Sequence, residues 1–299
     1  MARHRNLAML SALALIWGSS FLFIKVAVRE LTPATLIVGR LGLAAVTLGL
    51  LVPFVVGSRE TVRQLRANWA WLVVVALVNT AIPFWLLSWG ETRIDSGLAS
   101  IIQAAVPIFN ALIAFVAFQE VRVTGSRLLG VGVGFLGVAL LVGAQPEGKI
   151  LGALAVVGMA FCYGVGGLLS GRYLKPARPI VVAFASTAIA TLVWLPVGVA
   201  EAPSSMPSWK TIGCVVALGV PGTALAYLLF FGLITGAGAA YASLVTYLIP
   251  PIALAYGAIF LGERFGAAAF GGLALILAGV ALGTGAVGFA RLRRQPARS

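Results

Sequence analysis

Apolar runs without charge recur along this whole chain, and they constrain its fold more than any other feature. Each run has about eighteen residues or more, enough for a helix to cross roughly 30 Å of hydrocarbon. Of the 299 residues, 61% are hydrophobic and only 10% are charged, whereas soluble globular domains are about half apolar and a quarter charged. The sequence therefore predicts an all-α membrane protein.

The apolar runs predict ten transmembrane helices. The predicted spans are 7–29, 33–56, 68–90, 96–118, 124–143, 149–171, 178–200, 209–233, 238–261 and 266–290. The start of the chain has the basic head and apolar run of a signal peptide. Because the apolar run continues to Val28 without a convincing small-residue cleavage site, we expect the first helix to be retained.

Basic residues are unevenly distributed between the two sides that these spans define. With both termini inside, fourteen Lys and Arg residues lie on the cytoplasmic side and five outside, with Lys25 and Arg40 left within spans. Basic loops favour the cytoplasm, so this bias predicts a multi-pass protein of the cell inner membrane with both termini cytoplasmic. The net charge of +13 then reflects topology, and no nucleic-acid partner is predicted.

A repeat divides the chain into two halves of five spans each. The segment GVALLVG (137–143) returns as GVALGTG (279–285) in the second half of the chain. This separation is 142 residues, and Gly130 and Gly272 have it too. At a separation of 143 the matching pairs are Ser100 and Ser243, Pro107 and Pro250, and Glu120 and Glu263. The predicted domains are residues 1–145, the first five-helix repeat, and 146–299, the second repeat with a basic cytoplasmic tail.

An odd number of spans in each half has a topological consequence. The second half must enter the membrane from the opposite side, so the halves form inverted repeats. Inverted repeats are a recurrent transporter architecture, with the substrate site near the midplane at the repeat interface. Duplication also builds inert scaffolds, so a non-transporting membrane scaffold remains the alternative outside the transporter class.

Two polar stripes interrupt the apolar surface of the fourth and ninth spans. Their members are three or four residues apart and therefore share one face of a helix. The stripe of the first half consists of Ser100, Gln103, Pro107 and Asn110. The equivalent stripe of the second half consists of Ser243, Thr246, Pro250 and Ala253.

Prolines near these stripes free backbone carbonyls, because proline lacks an N–H and displaces the carbonyl four residues earlier. The freed carbonyls belong to Asn79 (through Pro83), Gln103 (Pro107), Thr246 (Pro250) and Tyr247 (Pro251). Such backbone is tolerated where protein groups satisfy it or where it lines a watery cavity. We therefore predict a substrate site that includes Asn79, Gln103, Asn110, Thr246 and Tyr247, with the four prolines as helix breaks or gates. The other interpretation is a set of kinks whose polar side chains bond to neighbouring helices.

Two aromatic residues extend the predicted site. Trp17 and Tyr163 occupy equivalent positions near the centres of the first and sixth spans, too deep for the interfacial anchoring usual for aromatic residues. We predict that both contribute to substrate binding, with core packing as the alternative. The predicted cavity is lined by the first, third, fourth, sixth, eighth and ninth spans.

Charged residues exclude one common mechanism. All eight acidic residues lie in loops or at span ends, so no carboxylate is predicted at mid-membrane for a proton or sodium relay. Glu120 and Glu263 precede new helices, where interactions with the helix dipole and a neighbouring arginine are the favoured roles. Arg40 lies about 10 Å into the second span and is a functional candidate, but snorkelling or a carbonyl partner is the favoured interpretation.

Signatures of catalysis are missing from the sequence. The single histidine, His4, lies near the N-terminus, and the two cysteines, Cys162 and Cys214, lie in apolar segments. No phosphate-binding loop is present, and glycine-rich segments are typical of close helix packing. The sequence predicts no enzyme, no cofactor and no metal site.

The features above resemble a known family. The two five-helix copies, LIWGSSFLFIK in the first helix, the Pro33–Arg40 pair and the two proline–glutamate helices resemble the drug/metabolite transporter superfamily. They resemble in particular its EamA-type ten-helix exporters of bacterial amino acids and metabolites. The resemblance covers nearly the whole chain through diffuse hydrophobic patterns. One departure is that four-helix multidrug members use a membrane-buried glutamate in the first helix, and this first helix has none.

The resemblance and the predicted cavity together imply a function. We expect an inner-membrane exporter of small neutral or zwitterionic metabolites, above all amino acids, including aromatic or hydrophobic ones, that works by alternating access. The lack of a central acid favours a facilitator or exchanger over a carboxylate-coupled pump. A sugar or nucleotide-type carrier of the same superfamily is the alternative within the class. The predicted partners are a small-molecule substrate and the lipid bilayer, and the sequence does not indicate an oligomeric state.

Overall fold

The computed structural model describes residues 2–118 and 125–283, and all regular secondary structure in these ranges is helical. Within these ranges, seven helices are long and apolar enough to cross a membrane, and three shorter apolar helices accompany them. Six spans are single helices: Ala2–Ala27 (span 1), Pro33–Val56 (span 2), Gly125–Gly143 (span 5), Glu147–Tyr173 (span 6), Pro179–Ala200 (span 7) and Ala267–Gly283 (span 10). Four are interrupted: Ser58–Ala76 and Ile82–Glu91 (span 3), Ser96–Gln103 and Val106–Phe118 (span 4), Trp209–Gly219 and Ala226–Ala237 (span 8), and Ala239–Ala242 and Val245–Leu261 (span 9).

Contacts between spans follow a two-fold pattern. Span 2 packs on span 7, span 4 on span 9 and span 5 on span 10, so that equivalent helices of the two halves meet. Span 1 contacts spans 8 and 9, just as span 6 contacts spans 3 and 4. This exchange of partners is what two inverted copies of a five-helix unit produce, and the predicted all-α fold of ten membrane helices is confirmed.

Glycines matched by the repeat bring spans 5 and 10 together. A Cβ atom on Gly279 would lie 2.6 Å from the carbonyl oxygen of Gly130, and one on Gly137 would lie 2.9 Å from that of Gly272. No side chain fits in either place, so the two backbones are in direct contact. Small residues have this role at helix interfaces in membranes.

Spans 3 and 8 each contain one π-helical turn, Leu77–Ala81 and Val220–Leu225, and the two turns begin at equivalent positions of the two repeats. In span 3 the N–H of Ile82 bonds to the carbonyl of Leu77, five residues earlier. The next residue, Pro83, has no N–H with which to resume the α-helical pattern, which explains the wider turn. Such turns are rare in proteins, and those that occur often lie at functional sites.

Spans 4 and 9 are interrupted near their prolines. The interruption at 104–105 ends two residues before Pro107, and the one at 243–244 ends six residues before Pro250. Pro250 and Pro251 both lie within the helix Val245–Leu261. The two breaks therefore occupy different positions in the two halves, although the proline stripes match in sequence.

Span 3 begins earlier than the sequence predicts. Residues 58–67, expected as a loop, form the first turns of a 34-residue helical segment, Ser58–Glu91. At 1.5 Å per residue this segment is about 51 Å long, longer than the hydrocarbon core. Its basic beginning therefore extends beyond the membrane, with Arg59, Arg63 and Arg66 exposed.

Two loop carboxylates bind the starts of distant helices. Glu263 accepts hydrogen bonds from the N–H groups of Ser96 and Gly97 at the start of span 4, rather than interacting with the helix that follows it. Glu30 accepts bonds from the backbone and hydroxyl of Ser208 at the start of span 8, and these bonds lower the pKa of Glu30. Glu120, the repeat partner of Glu263, lies outside the described residues.

Candidate functional site

A cavity of about 310 Å³ lies among spans of both halves. Spans 1, 3, 4, 6, 8 and 9, the six expected to form it, all contribute to its wall, and span 2 contributes Arg40. The polar lining residues are Ser20, Arg40, Asn79, Gln103, Tyr163, Thr223, Tyr227 and Thr246. The remaining lining residues are Trp17, Phe21, Ile24, Phe84, Leu87, Val106, Gly222, Phe230 and Ile249.

Five of the seven predicted binding residues share this wall: Trp17, Asn79, Gln103, Tyr163 and Thr246. Asn110 and Tyr247 do not line it. Asn110 instead faces the glycines of span 6, where a Cβ atom on Gly167 would lie 3.7 Å from its Oδ1 atom. Tyr247 packs beside the main apolar core. The helix-break prolines Pro83, Pro107, Pro250 and Pro251 are also not among the lining residues.

Aromatic rings form a large part of the cavity surface. The ring of Trp17 in span 1 lies 5.4 Å from that of Phe230 in span 8, tilted by 47°. Tyr163 in span 6 meets Phe84 in span 3 edge to face, with ring centroids 6.5 Å apart. Both arrangements are favourable for aromatic pairs, so the rings are held in place and present apolar surface to a ligand.

Amide and hydroxyl groups lie beside these rings without partners of their own. Among the described residues, the side chains of Asn79, Gln103 and Thr246 have no hydrogen bond, and neither do the phenol groups of Tyr163 and Tyr227. All five residues are half-buried and line the cavity. These five groups are therefore free to bind water or a polar ligand in the cavity.

The two π-helical turns contribute residues to the cavity wall, among them Thr223, which was not predicted. Asn79 belongs to the turn in span 3, and Gly222 and Thr223 to the turn in span 8. The repeat partner of the predicted residue Asn79 is Gly222, whereas Thr223 is equivalent to Thr80, which does not line the cavity. The repeat therefore does not identify Thr223. Its hydroxyl donates to the carbonyl of Leu218 at 2.8 Å.

Arg40 is part of the site rather than of the membrane surface. Its side chain is only 7% exposed, its Nε atom donates to Thr223 Oγ1 at 3.2 Å, and its Cζ atom lies 4.5 Å from the centre of the Phe84 ring. Neither snorkelling nor a carbonyl partner, the roles favoured from sequence, describes this environment.

A second group of charges lies where spans 1 and 3 meet beyond the cavity. Lys25 donates from Nζ to the carbonyl oxygens of Glu91 and Ile94, both at 2.6 Å. Glu91 is the last residue of span 3, as expected for a span end, but its side chain is fully buried. Within the part of the chain that the structure describes, neither carboxylate oxygen has a hydrogen-bond partner.

Ligating residues for a metal ion are not clustered in the described ranges. Between residues 2–118 and 125–283, no group of three or more His, Cys, Asp or Glu side chains is placed to hold one. The chemistry available in the cavity is therefore that of amides, hydroxyls, aromatic rings and one guanidinium group.

Comparison with known proteins identifies relatives along almost the whole chain. A family model described as "EamA-like transporter family" matches residues 5–143 and again 150–284. An "Uncharacterized transporter" of Archaeoglobus fulgidus is 25% identical, covering 88% of this chain and 93% of the relative. A "Probable terminal-alkyne amino-acid exporter" of Streptantibioticus cattleyicolor is 28% identical over 89% of each chain. A solved structure described only as "Crystal structure of protein" shares the fold, with a TM-score of 0.66 and 18% identity over 98% of this chain and 99% of that one.

Proposed function

The chain belongs to the EamA-like transporter family, and from this membership we propose that it exports small neutral or zwitterionic metabolites, above all amino acids, across the cytoplasmic membrane. Substrate binds in the cavity among spans 1, 3, 4, 6, 8 and 9. The single observation that carries the proposal is the group of unpartnered amides and hydroxyls beside aromatic rings, on helices from both halves. In an inert scaffold, polar side chains between membrane helices would be expected to bond to neighbouring helices. These half-buried groups instead line the cavity without protein partners among the described residues.

The dimensions and chemistry of the cavity support a small amino acid-like ligand. Its volume of about 310 Å³ is at the lower end of the range for small-molecule sites. Rings such as those of Trp17 and Phe230 cover an apolar side chain, while Asn79, Gln103 and Thr246 accept from an ammonium group or donate to a carboxylate. The S. cattleyicolor relative, described as a probable terminal-alkyne amino-acid exporter, supports the same substrate class and the outward direction.

The transport cycle that we propose is alternating access. The two halves, residues 1–145 and 146–299, rock about the cavity and open it to one side at a time, as in other inverted-repeat transporters. Both termini are cytoplasmic, in keeping with the bias of basic residues toward that side. Because no described carboxylate lines the cavity, the mechanism is that of a facilitator or exchanger, and the protein performs no covalent chemistry on its cargo.

Uptake into liposomes tests the proposal. The purified protein is reconstituted and offered a panel of labelled neutral amino acids, together with a hexose and a nucleoside monophosphate. We expect counterflow of one or more amino acids above the level of empty liposomes. Flux of the hexose or nucleotide alone would identify a carrier of another class, and no flux from a correctly folded protein would identify a scaffold.

A matched pair of variants separates the cavity from the rest of the membrane domain. Gln103→Ala removes an amide from the cavity wall, and Gln145→Ala removes one that donates to Leu141 at the end of span 5, outside the cavity. We expect the first to reduce amino-acid flux and the second to leave it unchanged. Equal effects of the two would argue against the cavity as the substrate site.

A further inference from the structure

Arg40 is a membrane-embedded cation without an ion-pair partner among the described residues. It lies in span 2, seven residues after the helix begins at Pro33, which corresponds to a depth of about 10 Å. The side chain is 7% exposed and lines the cavity. Ionisable residues at such depth are costly and mark substrate or ion pathways, usually in contact with a partner charge.

The guanidinium group is held by one end only. Nε donates to Thr223 Oγ1 at 3.2 Å, and the same hydroxyl donates to the carbonyl of Leu218 at 2.8 Å. The bond to Leu218 holds the Thr223 side chain in place within span 8, and Thr223 in this position orients the Arg40 side chain. Among the described residues no other hydrogen bond reaches the side chain, so the two terminal nitrogens, Nη1 and Nη2, are uncommitted.

No counter-charge within the described protein neutralises Arg40. Across residues 2–118 and 125–283, no carboxylate lies within 4.0 Å of its nitrogens. Glu91 of span 3 interacts with it electrostatically from a greater distance, and Lys25 of span 1 is bound to backbone carbonyls. The Phe84 ring contributes a cation–π contact at 4.5 Å, which is much weaker than an ion pair in a dry site.

A carboxylate group supplies what the site lacks. The free nitrogens of an arginine form a planar fork that matches the two oxygens of a carboxylate, and charge-assisted pairs of this kind are among the strong hydrogen bonds in proteins. The hydroxyl groups of Tyr163 and Tyr227 lie on the same cavity wall without partners. Both tyrosines lie near enough to Arg40 to interact with it electrostatically, so each phenol can donate to an anion held there.

We propose that Arg40 binds the carboxylate of the transported substrate, so that the cavity selects molecules with a carboxylate group over their amides and amines. This inference rests on the proposed function, since it assigns a role within the same cavity. It adds a substrate class that excludes simple amines and uncharged sugars. Arg40 provides the carboxylate contact, and the aromatic wall around Trp17 receives the apolar part of the substrate.

Binding measurements on paired ligands test this role. The affinities of L-phenylalanine, L-leucine and L-methionine, and of the three corresponding amino-acid amides, are measured by titration for the wild-type protein in detergent. We expect each acid to bind more tightly than its amide. In Arg40→Gln the affinity for the acids should fall about ten- to a hundredfold, while affinity for the amides should change little.

The matched control is Arg93→Gln, because Arg93 also lies over an aromatic ring, that of Trp89, at 3.5 Å, but outside the cavity. It should leave the ratio of acid to amide affinity unchanged. Arg40→Lys keeps the charge without the fork and should give an intermediate loss, and it serves as the test if Arg40→Gln does not fold. Melting temperatures without ligand establish folding for each variant.

The outcomes distinguish this inference from the function on which it rests. Equal weakening of acids and amides in Arg40→Gln or Arg40→Lys, or amides binding as tightly as acids to the wild type, would overturn the role of Arg40 while leaving amino-acid transport intact. Failure of the wild type to bind any acid or amide, together with absent flux in liposomes, would overturn the proposed function as well.

Discussion

The carboxylate of Glu263 accepts two hydrogen bonds from Ser96, one from its backbone N–H at 2.8 Å and one from its hydroxyl at 3.0 Å. The two residues are 167 positions apart and connect the end of span 9 to the start of span 4. Gly262, with a φ of 67°, ends span 9 in a left-handed conformation that favours glycine. This turn directs Glu263 onto the exposed N–H groups of another helix.

Stability should depend on this contact. We expect Glu263→Ala to lower the free energy of unfolding by about 0.5–2 kcal/mol, the usual cost of losing a helix cap. Transport per folded molecule should survive, as it should in Glu263→Gln, because the residue lies outside the cavity. Denaturation in detergent and counterflow in liposomes provide the two measurements.

The control for this prediction is Glu201→Ala, which removes an exposed carboxylate at the end of span 7. It should leave stability nearly unchanged. A Glu263→Ala protein that is as stable as the wild type, or that is stable and yet inactive, would contradict the capping role.

Trp17 and Asn110 should behave differently although both were predicted as binding residues. Trp17 lines the cavity beside Phe230, so Trp17→Ala should weaken binding of bulky apolar amino acids more than that of alanine or serine. Asn110 lies against span 6 and makes no hydrogen bond within the described residues, so Asn110→Ala should cost no more than about 0.6 kcal/mol of stability, the mean value of an interhelical polar bond. Affinity and melting temperature measured side by side separate the two effects.

If Trp17→Ala left all affinities unchanged and lowered only the melting temperature, the ring would be a packing residue. Loss of affinity in Asn110→Ala with an unchanged melting temperature would instead require the substrate to reach Asn110, beyond the present cavity wall.

Glu91 tests whether transport requires a titratable carboxyl group. Its side chain is fully buried, and neither oxygen is hydrogen-bonded within the described residues. An unpartnered buried carboxyl group costs stability, and a neutral amide needs no counter-charge, so Glu91→Gln should leave stability unchanged or raise it. For a facilitator, amino-acid flux should also be unaffected by a pH gradient imposed across the liposome membrane, both before and after the substitution.

A flux that depends on the pH gradient and on Glu91 would contradict the facilitator mechanism. If the wild type were driven by the pH gradient and Glu91→Gln abolished this response while the protein remained folded, Glu91 would be a proton carrier. Lys25→Met is the comparison, because it removes the neighbouring cation that binds the carbonyls of Glu91 and Ile94 without removing the carboxyl group.

Membrane orientation is tested at the start of span 3. Arg63 is exposed on the helical extension Ser58–Ala76, so a cysteine at this position should react with an impermeant reagent only after the cytoplasmic side is made accessible. Cys162 and Cys214, the two natural cysteines, are replaced by alanine in this background. Labelling of Arg63→Cys from outside intact cells would overturn the proposed orientation of both termini.

Hydropathy predicted the ten helices well because backbone polar groups in lipid must be satisfied within each segment. Gln103, singled out by its local spacing, and Trp17, singled out by its depth, both line the cavity. Local patterns of this kind are read directly along one helix.

Features that depend on distant contacts were not predictable in the same way. Arg40 is hydrogen-bonded to Thr223, which is 183 residues away in sequence. Glu263 likewise accepts hydrogen bonds from Ser96, a residue of another span. The burial of Glu91 depends on how spans 1, 3 and 6 pack together. In each case the residue type was visible in the sequence, but its partner was determined only by the fold.

The most direct test of the account is whether the cavity is reached from both sides of the membrane and is occupied by substrate. Thr246→Cys, in the background without Cys162 and Cys214, places one thiol on the cavity wall. Met206→Cys is the control, because Met206 is 79% exposed in the loop between spans 7 and 8. Both proteins are reconstituted and treated with an impermeant thiol reagent on either side of the membrane, with and without the transported amino acid.

We predict that Thr246→Cys reacts from each side and that the amino acid protects it in both cases, whereas Met206→Cys reacts from one side only and is not protected. Reaction of Thr246→Cys from a single side, or at a rate that the amino acid does not change, would contradict an alternating-access cavity that binds substrate.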